Sequence, residues 1–172
     1  MTGKKVYLLL GVFWVAIIGG FILIKEYTLR SGQEVLLKVA PVDPRDLFRG
    51  DYVALRYDIS SIDPRSVTGG KELFEAGDRI YIGLRMEGKY ATAVSIHKAV
   101  PQDSLFIRGT IEHASAENLI VQYGIESYFV PEGRGEEIEK HLGRNVDVKV
   151  SIDRFGTALI KSLLIDGKEV RY

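Results

Sequence analysis

The chain has 172 residues, no cysteine, and 23 Lys plus Arg against 23 Asp plus Glu, so its formal charge is zero. The missing cysteines exclude disulfides, thiolate metal sites, a cysteine nucleophile and a lipid-modified N-terminal cysteine. The balanced charge argues against nucleic acid as a partner, since phosphate binding needs a basic excess or stripe. His97, His113 and His141 stand far apart without metal-ligand spacing, so neither a metal site nor a cofactor is expected.

The first element is apolar. Val6 to Ile24 runs nineteen residues without a charge; at about 1.5 Å per residue such a helix spans roughly 28 Å, close to the hydrocarbon thickness of a bilayer. Lys25-Glu26-Tyr27-Thr28-Leu29-Arg30 follows, which offers no small-x-small cleavage site. The segment is therefore expected to stay attached, with residues 1–30 as a single transmembrane anchor in the lipid bilayer. Lys4 and Lys5 flank one end and Lys25, Arg30 and Lys38 the other, so the positive-inside count is nearly even. Translocating a tail with two lysines is the costlier option. That favours an N-terminus inside and a domain on the extracytoplasmic face of the cytoplasmic (inner) membrane. Ala16 and Gly20 form a small-xxx-small pair and Trp14 lies mid-span, both of which suit a neighbouring helix in the bilayer.

Ser31-Gly32 is a helix stop, with Gly32 able to take the left-handed C′ position. Residues 31–172 then read as one β-rich domain. Strands are predicted at Glu34 to Ala40, Tyr52 to Ile59, Arg79 to Met86, Tyr90 to Lys98, Leu105 to Glu112 and Leu119 to Tyr123. Three more follow at Ser127 to Val130, Val146 to Ile152 and Ala158 to Ile165. Glu87-Gly88-Lys89, Arg154-Phe155-Gly156 and Asp166-Gly167 are turn signals. One short helix is expected at Glu136 to Leu142, stopped by Gly143. The fold class is mainly β, a sandwich or barrel behind an N-terminal helix. Shifting the chain by 66 residues lays Tyr57, Ile59, Ser61, Gly69 and Gly77 on Tyr123, Ile125, Ser127, Gly135 and Gly143. The same shift lays the strand from Ile80 on that from Val146, which suggests two related lobes, 33–100 and 103–172.

The densest cluster of charge, proline and aromatic residues is Pro41 to Asp58. Val53, Leu55 and Tyr57 alternate with Tyr52, Ala54 and Arg56 across a strand, and Gly50 suits the turn into it. Arg45 and Arg49 lie within reach of Asp43, Asp46 and Asp51. These charges either pin the loop through guanidinium–carboxylate forks or form a polar site for a partner or headgroup. A second block, residues 123–133, reads as a strand and turn with core aromatics. Its bolder reading is a binding ledge where Tyr123, Glu126 and Glu132 meet the first motif.

Gly50-Asp51-Tyr52-Val53-Ala54-Leu55-Arg56-Tyr57 fits the pattern Gly-Asp-Tyr-x-x-Leu-x-Tyr throughout and resembles the bacterial GDYXXLXY membrane-anchored proteins. The second block is similar to that family's other recurrent stretch, and the resemblance covers nearly the whole chain. It implies a bacterial membrane-anchored protein, often encoded beside multi-spanning membrane proteins, and no particular activity.

Enzyme readings meet obstacles. Leu47-Phe48-Arg49-Gly50-Asp51-Tyr52-Val53 is similar to a stretch of signal peptidases, but no Ser, Thr or Cys lies between Gly32 and Gly50 to serve as nucleophile. Paired carboxylates could act as acid and base, yet Arg45 and Arg49 beside them favour the ionised forms. No catalytic residue is assigned. The expected function is a non-enzymatic β domain that binds or supports another membrane protein, most naturally a multi-spanning one. The alternatives are an extracytoplasmic hydrolase using Asp43, Asp46 and Asp51, or a catalytically dead signal-peptidase-like fold.

Overall fold

The computed structural model describes residues 3–40, 52–70, 72–102, 104–129 and 146–170. Helix α1, Gly3–Ser31, runs unbroken through the apolar segment. Its part Lys5–Ser31 is long and apolar enough to cross a membrane, and among the described residues the apolar window within it is left uncovered. Large side chains from Val6 to Ile24 stand exposed around it, a larger apolar surface than soluble monomers ordinarily present.

Eleven strands follow among the described residues: β1 Gln33–Lys38, β2 Tyr52–Ala54, β3 Ser61–Ile62, β4 Arg79–Glu87, β5 Tyr90–His97, β6 Phe106–Ala114, β7 Leu119–Gln122, β8 Ser127–Phe129, β9 Val146–Ile152, β10 Ala158–Ile165 and β11 Lys168–Val170. Nine form one mixed sheet in the order β11-β10-β9-β1-β5-β4-β6-β7-β3, and β2 pairs with β8 in a separate ribbon. All neighbours are antiparallel except β1 and β5, which meet in parallel at Leu36 and Tyr90. The sheet curls until the Arg108 amide donates to the Gly156 carbonyl at 2.8 Å. The strands β6-β4-β5-β1-β9-β10 thereby run in a ring. Leu37, Ile80, Ile82, Ile96, Ile107, Val148, Val150 and Leu163 fill it, each fully buried. The β-branched residues that dominate these strands suit a pleated surface packed on one face.

The mainly β fold class holds, and β9 and β10 have the bounds read from the sequence. The three turn signals join β4 to β5, β9 to β10 and β10 to β11. In the last, Asp166 and Gly167 both have positive φ, 51° and 77°, the requirement of a two-residue turn that matches strand twist. β3 and β11 were not foreseen. The predicted strand from Tyr52 to Ile59 is not one strand. It pairs with β8 through Ala54, then bridges from Tyr57 to Val39, then tightens into a 3-10 turn at Asp58–Ser60. The predicted helix 136–142 lies outside the described residues. Strands from the stretches 33–100 and 103–172 interleave, β1 lying between β5 and β9.

Gly32 ends α1 for a reason other than the one its type suggests. It is not among the positive-φ residues. A methyl there would lie 2.4 Å from Ser151 Oγ, 2.6 Å from the Thr28 carbonyl and 2.9 Å from that of Ile152. Close approach of α1 to β9 is what demands glycine. Gly32→Ala should destabilise the detergent-solubilised protein by about 1–3 kcal/mol, as overpacking does, read from the thermal midpoint. Gly19→Ala, with nothing within 4 Å of the new methyl, should leave that midpoint unchanged or raised.

Candidate functional site

Two segments cross in the interior, 54–60 and 123–127, and every sequence-predicted site residue that the structure describes lies on them or on the ribbon beside them. Leu55 and Tyr57 point inward and Arg56 outward, as strand alternation predicts. Tyr57 is 1% exposed and Tyr123 7%, so both belong to the core rather than to a ledge. The Tyr57 hydroxyl donates to the Ile125 carbonyl at 2.5 Å, and the Tyr123 hydroxyl donates to the Ile59 carbonyl at 2.5 Å. A shift of 66 residues turns one contact into the other.

The same shift exchanges the surrounding contacts. The Tyr57 amide donates to Ser60 Oγ at 3.2 Å, and the Tyr123 amide to Glu126 Oε1 at 2.5 Å. Ala54 opposite Ser127 and Val53 opposite Tyr128 become Ile120 opposite Ser61 and Leu119 opposite Ile62. β1 also meets β9 antiparallel as β6 meets β4, with Leu36 opposite Lys149 and Phe106 opposite Gly83, although here the offset of 66 relates only Gly83 to Lys149 and Phe106 stands 70 residues beyond Leu36. The motif segment and the second block therefore do meet, through backbone pairs and buried phenols.

The electrostatics follow from burial. Desolvation, reinforced by the nearby Glu126 charge, drives both Tyr57 and Tyr123 far above the usual phenol range. Both stay protonated donors. Glu126 is spent locally: its carboxylate accepts the Tyr123 and Gly124 amides, while its backbone carbonyl accepts the Leu55 amide at 2.7 Å. Tyr128 is half-buried against the core and Phe129 is 76% exposed. Tyr52 sits in β2 opposite Phe129. Asp43, Arg45, Asp46, Arg49, Gly50, Asp51 and Glu132 lie outside the described residues. Among the described residues, no three His, Asp or Glu side chains gather in a way that could hold a metal ion.

A second polar cluster, unforeseen in the sequence, joins α1 to the domain. The Ser151 hydroxyl donates to the Thr28 carbonyl at 2.6 Å, and the Gly32 amide reaches the same carbonyl at 3.0 Å. The Thr28 hydroxyl lies 3.2 Å from both the Ile24 carbonyl and Asp153 Oδ2; its one proton favours the charged acceptor. Asp153 Oδ1 accepts the Phe155 and Thr157 amides at 2.8 and 2.9 Å, which holds the β9–β10 turn. Thr28 and Ser151 are buried. The sequence signal was faint: one hydroxyl residue just past the apolar run, and one serine inside a strand of valines.

Tyr57→Phe or Tyr123→Phe leaves a buried carbonyl unpaired and should cost about 1–3 kcal/mol each, measured by chemical denaturation. The raised phenols contribute stability that is intact below the unfolded tyrosine value of about 10 and is lost as pH rises beyond it. The thermal midpoint should fall less steeply above pH 10 in the double Tyr→Phe variant than in the parent chain.

Residues 14–163 match the family model described as GDYXXLXY protein. Neither curated proteins nor solved structures give a match to the chain. With that span covered, and with Leu55 and Tyr57 of the eponymous motif built into its core, the chain belongs to the GDYXXLXY family.

Proposed function

We propose that this chain is a membrane-anchored, non-enzymatic β domain that binds or supports another membrane protein. The observation that carries the reading is the joint between α1 and β9. A tether that only retains a domain works with a flexible linker. Here one residue, Gly32, separates the helix from β1, and Thr28, Ser151 and Asp153 clasp the two together. Such a joint commits the orientation of the domain to that of the helix, which favours docking on a neighbour in the same bilayer.

The exposed helix supports an apolar surrounding, lipid or another span. Leu55, Tyr57 and Tyr123 serve as internal scaffold, which leaves contact with a partner to the motif charges at 43–51 and to the helix. The favoured topology keeps Lys4 and Lys5 inside and the domain on the extracytoplasmic side of the inner membrane of a bacterium, because carrying two lysines across is costly.

Alkaline carbonate should leave the protein in the membrane fraction. Leu73 is 89% exposed and the chain has no cysteine; Leu73→Cys should therefore react with a membrane-impermeant maleimide in unlysed spheroplasts. Reaction only after lysis would reverse the orientation. In mild detergent an integral membrane protein should co-purify. It should be lost when residues 6–24 are exchanged for an unrelated span or when Arg49 and Asp51 are substituted together. Recovery no better than with an unrelated single-span control would overturn the reading.

A further inference from the structure

The β9–β10 turn, 153–157, stands beside the end of the apolar helix. Leu23, Ile24, Tyr27 and Thr28 on α1 and Asp153, Arg154 and Phe155 on the turn line one cleft of about 590 Å³. The uncharged run ends at Ile24, so this cleft straddles the level at which apolar surroundings give way to polar ones. Phe155 is 58% exposed and Tyr27 63% exposed there. Aromatic rings exposed at that level are what bilayer interfaces attract.

The turn is not a loose flap whose ring happens to point outward. Asp153 and Thr157 close it through the Asp153 amide at 3.0 Å, and the Gly156 amide donates back to the Asp153 carbonyl at 3.0 Å. Gly156 is bonded onward to Arg108 in β6, and Asp153 reaches Thr28 on the helix. The backbone is thus held from three sides while the Phe155 side chain stays more than half exposed.

Charge at this rim is complementary to phosphate. Arg154 lies over the Phe155 ring at 4.7 Å and makes no ion pair among the described residues. The two nearby acids are engaged: Glu26 with Arg30 at 2.5 Å, and Asp153 with the turn amides and Thr28. A second loop points the same way. Val100, 54% exposed, and Pro101 share an adjoining cleft with Ser31, Gln33 and Arg154.

We propose that the β9–β10 turn is a second membrane contact, with Phe155 seated in the interfacial layer and Arg154 bound to the phosphate of an anionic phospholipid beside α1. This rests on the membrane-anchored reading, and the two fail differently.

The test uses the full chain in vesicles of phosphatidylcholine, with and without phosphatidylglycerol, carrying lipids brominated near the top of the acyl chain. Trp14 is the sole tryptophan, lies mid-span and reports the anchor in a parallel preparation brominated near the end of the acyl chain; absence of quenching at Trp14 there would sink the anchor itself. In a Trp14→Phe background, Phe155→Trp should show blue-shifted, quenched emission, whereas Leu73→Trp should stay red and unquenched. Quenching at position 155 should deepen with phosphatidylglycerol, and Arg154→Gln should abolish that dependence. Trp14 quenched while position 155 stays water-exposed would overturn the lipid contact alone. Quenching at 155 that is indifferent to phosphatidylglycerol would overturn the role of Arg154.

Discussion

A phenol taken out of water must donate its proton to an acceptor or cost the fold a large part of its hydration energy. Tyr57 and Tyr123 each find that acceptor on the segment that carries the other, at the carbonyls of Ile125 and Ile59. Neither segment can slide or turn without orphaning two hydroxyls and two carbonyls together. That shared requirement fixes the register of β2 on β8 and of β3 on β7. Through the Ala40 amide, which donates to the Arg56 carbonyl at 2.8 Å, it also fixes where β1 enters the sheet. β1 in turn follows directly from α1, so the crossing and the helix joint belong to one chain of constraint.

The reciprocity explains the shape of the sheet. If each stretch paired only with itself, two small sheets would result, each with little surface to bury. Instead β1 pairs with β9 and β6 with β4, so each half closes over the core of the other. The ring of six strands encloses one cluster of buried side chains from both. A domain of this size gains more from one shared core than from two thin ones.

Much of this was legible in the residues, and the misses have physical causes. β9 could be bounded because its residues alternate in type up to the turn residues, and β10 because turn residues bracket its apolar run on both sides. The 66-residue offset was visible in Tyr57 and Tyr123, yet identity at two positions does not reveal that each is the donor to the other's neighbourhood. Residues 52–59 read as one strand because the alternation of side chains continues after the backbone has changed partners. β3 has two residues, too few to carry any period. Gly32 was recognised as a helix stop by propensity, whereas tertiary contact with Ser151 and Ile152 is what excludes a side chain. Ser151 itself hides in a strand buried on both faces, where only the covering helix makes sense of a hydroxyl.

The joint places the domain as well as holding it. Thr28 lies one helical turn beyond Ile24, about 6 Å along the axis, whereas the headgroup layer on each side of the hydrocarbon is roughly 5–8 Å deep. On the membrane-anchored reading, the hydrogen bonds of Thr28, Ser151 and Asp153 therefore form at the depth of the headgroups. There the dielectric falls and a buried bond gains in strength over its value in water. A clasp at that depth resists being pulled apart more than the same clasp on a solvated stalk would. The domain then has one face pressed to the surface and little freedom to leave it. On that reading the orientation of the domain follows that of α1, because Gly32 alone stands between the helix and β1.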